Sequence, residues 1–181
     1  MTLFIITGAS GSGKTSLSGR VASQRYWVEC KSHTTRSPRV GEADGETYYF
    51  ITKEKCKEML NNDEFAEFVE YDGNNYGITK AEITYRLKQS KHVFIIAEYN
   101  GYKQLKKLYP DAVGIFINST KEQCMANMLL RGDSLEKATK RINTYDEEVS
   151  HKGEFDYVVK NVRDKSKYSV DILCNIINQY N

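Results

Sequence analysis

Residues 8–15 read Gly8-Ala9-Ser10-Gly11-Ser12-Gly13-Lys14-Thr15 and follow directly on the apolar run Leu3-Phe4-Ile5-Ile6. This is the G-x-x-x-x-G-K-[ST] pattern, with a buried strand before it and a helix after it. The glycines free backbone N–H groups to converge on phosphate oxygens, and the helix adds the positive end of its dipole. Lys14 can reach the outer phosphates as a mobile cation, and the Thr15 hydroxyl can ligate Mg²⁺. The pattern predicts a nucleoside triphosphate site built from Gly8, Ala9, Ser10, Gly11, Ser12, Gly13, Lys14 and Thr15.

Around this loop the chain has the proportions of one α/β domain. It holds 181 residues, 28% of them charged, with a net charge of +2. Charge so near balance excludes a general nucleic-acid binder, which carries a stronger basic excess. Cys30, Cys56, Cys124 and Cys174 are widely spaced with no C-x-x-C pair, which predicts reduced thiols in a cytosolic protein rather than metal ligands. No apolar run approaches the roughly 18 residues of a membrane span, and Leu3–Ile6 is too short for a signal sequence. The expectation is a soluble, cytoplasmic protein with small-molecule partners, no nucleic acid and no membrane, as monomer or homodimer.

Strand-like and helical patterns alternate at both ends of the chain. Helices are predicted over Thr15–Gln24, Gly101–Tyr109 (stopped by Pro110), Ser119 to about Arg131, and Tyr168–Tyr180. Strands are predicted over Trp27–Cys30, His92–Ala97, Ala112–Ile117 and Phe155–Lys160. Strands separated by helices imply a parallel sheet flanked by helices, with ligands at the carboxyl ends of the strands. Residues 33–84 break that rhythm with short strand-like pieces (Tyr48–Ile51, Phe65–Tyr71, Tyr76–Ile78) around a helix at Lys53–Asn61, and read as an inserted αβ subdomain. The charged stretch from Gly132 to His151 has a sparse apolar stripe (Leu135, Ala138, Ile142, Tyr145, Val149) and reads as a helical lid. The predicted organisation is a core of 1–32, 85–127 and 152–181, the subdomain 33–84, and a lid over 128–151.

A second cluster narrows the chemistry. Thr34-Thr35-Arg36-Ser37-Pro38-Arg39-Val40-Gly41-Glu42 places two arginines three apart, stiffened by Pro38 and flanked by hydroxyls. Such a loop suits a second phosphate-bearing ligand. With the T-T-R-x-P-R-x-G-E run, the G-x-x-Y-x-F run at 45–50, Glu64-Phe65-Ala66-Glu67, Gly73-Asn74-Asn75-Tyr76-Gly77, Arg131-Gly132, Lys140-Arg141 and Val158-Val159-Lys160-Asn161, the chain resembles the guanylate kinase family over nearly its whole length. The resemblance implies a P-loop nucleoside monophosphate kinase with ATP as donor, Mg²⁺, and GMP or dGMP as acceptor. It implies that Ser32, Arg36, Arg39, Tyr48 and Tyr76 hold the acceptor phosphate and that Glu67 accepts from the guanine N–H groups. Lys14, Arg36, Arg131 and Arg141 are implied as catalytic, with Arg131 and Asn161 also on the ATP side.

The chain departs from the family at three places. Ile78 occupies the position where a Ser or Thr contacts the guanine carbonyl. In the strand His92–Ala97, Ile96 stands for the first of two acids and Glu98 for the second, facing the base or ordering a Mg²⁺ water. Asn127 replaces an arginine on the donor side. These changes raise two alternatives: the same fold acting on another acceptor, such as a modified nucleotide, or a non-catalytic binding module. The intact phosphate loop speaks against the second.

Overall fold

Leu3 to Thr7 are all buried, and this both-sided burial is what a central strand of a parallel sheet requires, since crossover helices cover both faces. The computed structural model describes residues 1–24, 26–39, 41–71 and 73–181. Its elements in chain order are β1 (Thr2–Thr7), α1 (Lys14–Ser23), β2 (Val28–Glu29), β3 (His33–Thr34), β4 (Tyr49–Phe50), α2 (Lys53–Asn61), β5 (Phe65–Tyr71) and β6 (Asn74–Thr79). There follow α3 (Lys80–Gln89), β7 (His92–Ile96), α4 (Tyr99–Leu108), β8 (Val113–Asn118), α5 (Lys121–Leu130), α6 (Leu135–Ile142), α7 (Tyr145–Ser150), β9 (Tyr157–Lys160) and α8 (Ser166–Asn178).

The main sheet has the order β2-β7-β1-β8-β9 and is parallel throughout. Its strand order reverses at β1, so the crevice beyond the carboxyl end of β1 is where this architecture binds ligands. One apolar cluster (Phe4, Leu17, Trp27, Phe94, Leu173) packs on one face and a second (Leu3, Ile5, Ile83, Ile95, Leu105, Phe116) on the other. A smaller mixed sheet, β4-β3-β6-β5, is built from residues 33–79 and has its own cluster of Cys56, Met59 and Phe65.

Two differences from the sequence reading have clear causes. The helix α3 was not anticipated, and it runs through the expected boundary at 84/85. Its start is a capping signal: the Thr79 hydroxyl accepts from the Glu82 N–H, with an acid three residues on. In the Gly132–His151 stretch, Leu135 is 65% exposed and only Ala138 is fully buried, because the amphipathic stripe is interrupted between α6 and α7.

Candidate active site

The loop from Gly8 to Gly13 leaves β1 and enters α1 at a left-handed residue, Gly13 (φ 97°). A side chain there would be strained and would collide with the Asn161 amide, so glycine is required on both counts. Asn161, expected on the ATP side, braces the loop from below: its Nδ2 donates to the Ser12 carbonyl at 2.8 Å, and it is 8% exposed. Asn127, the position of the missing arginine, donates to the Gly11 carbonyl at 2.9 Å. Its amide supports the loop where a longer cation would reach past it. Thr15 is exposed on the first turn of α1.

Lys14 is folded back on its own loop, with Nζ 2.6 Å from the Gly8 carbonyl and 3.1 Å from that of Ala9. Burial lowers its ammonium below the ordinary range, while the Glu148 and Glu98 carboxylates oppose that shift. Thr7, Gly8, Ser10, Lys14, Glu98, Tyr99, Phe116 and Glu148 line one cleft at the end of β1. Within it the buried Thr7 hydroxyl has no hydrogen-bond partner among the described residues. Backbone amides of a glycine-rich loop, a part-buried lysine and a buried hydroxyl are the kind of donor set that a polyphosphate needs.

Three of the residues expected to hold the acceptor phosphate meet beside the small sheet. Arg36 lies over the Tyr48 ring at 5.5 Å, and the Tyr48 and Tyr76 rings meet edge-on at 6.2 Å. Burial, and then Tyr76, push the Tyr48 hydroxyl upward. Arg36 is itself paired within its own loop. Glu42 grips it through two contacts of 2.9 Å, holding the guanidinium while fixing its plane. Ser32 precedes β3, and Arg39 is exposed on the same loop. Val40 lies outside the described residues.

Glu67 is 7% exposed on β5, and among the described residues no donor or cation bonds its carboxylate. The amino end of α4 crosses so close to it that a Cβ on Gly101 would lie 2.6 Å from Oε1. Burial, and then neighbouring Glu98, push the Glu67 carboxyl up to about 7. Glu98, exposed at the start of α4, thus stands between Glu67 and the Lys14–Glu148 side of the cleft. Ile78, expected at the base, has its side chain 1% exposed in the second apolar cluster, and Ile96 packs against the first. The β5–β6 register shifts between Phe65 and Glu67; Gly77, Ile78 and Thr79 are buried in succession, and the Thr79 hydroxyl is taken by the α3 cap.

The two arginines expected on the lid are both engaged, one by a near neighbour and one by a distant residue. Arg131 bonds Asp133 through Nε (2.9 Å) and Nη2 (2.6 Å). Arg141 on α6 reaches Tyr71 on β5, donating to its hydroxyl at 3.3 Å and lying over its ring at 5.6 Å. Asp133, Tyr71 and Glu148 were not anticipated, and as exposed-looking residues in charged stretches they carry no sequence signal.

As oxygen donors, Thr15 and Glu98 fit Mg²⁺, a hard cation that keeps most of its waters and is commonly shared with substrate phosphates. Among the described residues no group of three or more His, Cys, Asp or Glu could hold a metal unaided.

A family model described as guanylate kinase matches residues 1–180. The chain is 36% identical over 166 residues to a guanylate kinase of Shewanella violacea, covering 88% of this chain and 79% of the relative. It is 37% identical over 162 residues to one of Synechocystis, covering 88% and 85%. The crystal structure of guanylate kinase from Anaplasma phagocytophilum has the same fold, with a TM-score of 0.74 over 98% of this chain and 85% of that one at 22% identity.

Proposed function

The chain belongs to the guanylate kinase family, and on that premise we propose that it transfers the terminal phosphoryl group of ATP to GMP or dGMP, giving the diphosphate and ADP. The single observation that carries the acceptor is Glu67, a largely buried acid that no cation among the described residues pairs and whose carboxyl is pushed up to about 7 by burial and then by Glu98. An acid in that state is costly unless a ligand supplies donors. Guanine offers two adjacent donors, its ring N–H and exocyclic amine, whereas adenine puts an acceptor in place of the first. Leaving a carboxylate facing an acceptor costs about 1–3 kcal/mol or more, enough to reject adenine by about fivefold to more than a hundredfold. Because the Ile78 side chain belongs to the core, its replacement of a family hydroxyl removes one base contact without opening the pocket, which favours guanine over an altered acceptor.

Residues 33–84 take the acceptor in this reading and 128–151 close over it, the remainder forming the core. Arg36, Tyr48 and Tyr76 grip the acceptor phosphate, with Ser32 and Arg39 supplied from the same strand and loop. The loop amides and Lys14 hold the donor phosphates, and Arg131 and Arg141 leave Asp133 and Tyr71 to meet charge on the transferring group. Thr15, with Glu98 through a water, would hold Mg²⁺, which neutralises charge on the donor phosphates when bound. No residue forms a covalent intermediate; positioning and electrostatics supply the rate, and closure excludes water. Cytoplasmic location is supported by four free, buried cysteines. Among the described residues no helix is long and apolar enough to cross a membrane.

The test is ADP release from MgATP with GMP, dGMP, AMP, UMP, CMP, TMP and IMP offered separately. Turnover with GMP or dGMP far above the rest is expected. Preference for another base would overturn the role of Glu67.

A further inference from the structure

The phosphate loop already holds an anion of its own chain. The Ser10 N–H donates to Glu148 Oε2 at 3.3 Å, and Glu148 Oε1 accepts from the Thr144 hydroxyl at 3.1 Å. Glu148 sits on α7, and two contacts tie that helix beside the loop: the Tyr145 hydroxyl donates to the Ser119 carbonyl at 2.6 Å, and Lys121 pairs with Asp146 at 2.6 Å. Lys14, the loop's own cation, is turned toward the Gly8 and Ala9 carbonyls. The cleft that these groups enclose has a volume of about 20 Å³. That admits about one water and no phosphate chain.

From this geometry, and resting on the reading of residues 8–15 as the donor site, we propose that Glu148 is a positioning residue that sets the donor affinity by holding the place of a phosphate oxygen on the Ser10 N–H. A carboxylate and a phosphate cannot share that amide. Both are anionic, and the cleft is poor in water, so their repulsion is weakly screened. A donor phosphate therefore displaces Glu148, and because Glu148 is carried on α7, its displacement moves the segment that also bears the lid. The bond to Ser10 opposes donor binding in the empty enzyme and ties the arrival of the donor to the release of α7.

Two measurements on the full chain test this. In the absence of nucleotide, NMR exchange of the Ser10 amide should quicken in Glu148→Ala relative to wild type, while amides of β1 and β8 stay unchanged. By titration calorimetry with ATP and EDTA, so that no metal takes part, Glu148→Gln and Glu148→Ala should bind ATP about three- to tenfold more tightly than wild type. Equal or weaker binding in both variants, with wild type binding normally, overturns the proposal and leaves the donor reading standing. Weaker binding of MgATP alone also overturns it, since the carboxylate then serves the metal. No ATP binding by any of the three proteins fails the donor reading as well. Should both variants melt far below wild type, Thr144→Val, which frees Glu148 from its second tether, replaces them. It should show tighter binding of smaller size, and unchanged binding there overturns the proposal.

Discussion

Glu67 and Glu82 are buried to nearly the same extent, 7% and 6% exposed, in regions built on opposite terms. Glu82 sits where α3 meets the small sheet and is fully answered: it accepts from the Lys31 N–H at 2.9 Å, Arg86 Nε at 2.7 Å and the Tyr49 hydroxyl at 3.2 Å. Glu67, where β5 faces the start of α4, has no such answer among the described residues, and the Glu98 carboxylate repels it. Burial alone therefore does not separate a structural acid from a functional one. The donors around it do, since a satisfied carboxylate stabilises the fold and an unsatisfied one waits for a ligand. Lys14 belongs with Glu67 in this respect, being a part-buried cation with only carbonyls at bonding distance among the described residues.

The sharpest way to break the comparison is Lys14→Ala. If Lys14 serves the ligand, turnover falls by about 10³ or more while the melting temperature holds or rises, because a buried charge is removed. A large drop in melting temperature would class it with Glu82. Glu67→Gln comes next. Its kcat/KM for GMP should fall by about 10²-fold, with an unchanged or higher melting temperature, read from steady-state kinetics and a thermal melt. Glu82→Gln should do the reverse, costing about 2–3 kcal/mol of stability by leaving Arg86 without its charge partner, with kcat nearly intact.

The smallest effect sharpens the contrast through pH. With the Glu67 carboxyl near 7, the free enzyme carries its proton below that pH, and a protonated acid cannot accept from both guanine donors. Lowering the pH from 8 to 6 should reduce kcat/KM for GMP by about tenfold. The same group makes a folding prediction of opposite sense to ordinary ion pairs. Its folded value lies above the unfolded one of about 4.3, so between those values the folded state binds more protons and stability falls as pH rises. Glu67→Gln should flatten that part of a melting-temperature profile, while Glu82→Gln should leave it in place.

Much of this was legible along the chain. The phosphate loop is local: eight consecutive residues fix its turn, and the strand and helix on either side follow from apolar run and spacing. The caps are local as well. Thr120 and Thr79 each accept from the N–H three residues on, although the Thr79 signal went unread and α3 with it. The positions of Arg36, Tyr48, Tyr76 and Glu67 were readable only because the runs that hold them are long and specific. The pairings were not readable. Arg36 with Glu42 is a short-range contact that two residue types alone do not announce, and Arg141 with Tyr71 spans seventy positions.

By itself, then, the sequence determined the parallel core and the glycine-rich loop between β1 and α1, because backbone conformation and hydrophobic period depend on near neighbours. Only the tertiary structure decided what each charge meets. It sent the Ile78 side chain into the core, turned Asn127 into a brace for Gly11, laid Glu148 on Ser10 and set Glu67 beside Glu98 with no cation to pair it among the described residues. Those outcomes depend on which distant elements pack together, and electrostatic energy in a buried site is set by a few ångströms of separation that no residue order specifies.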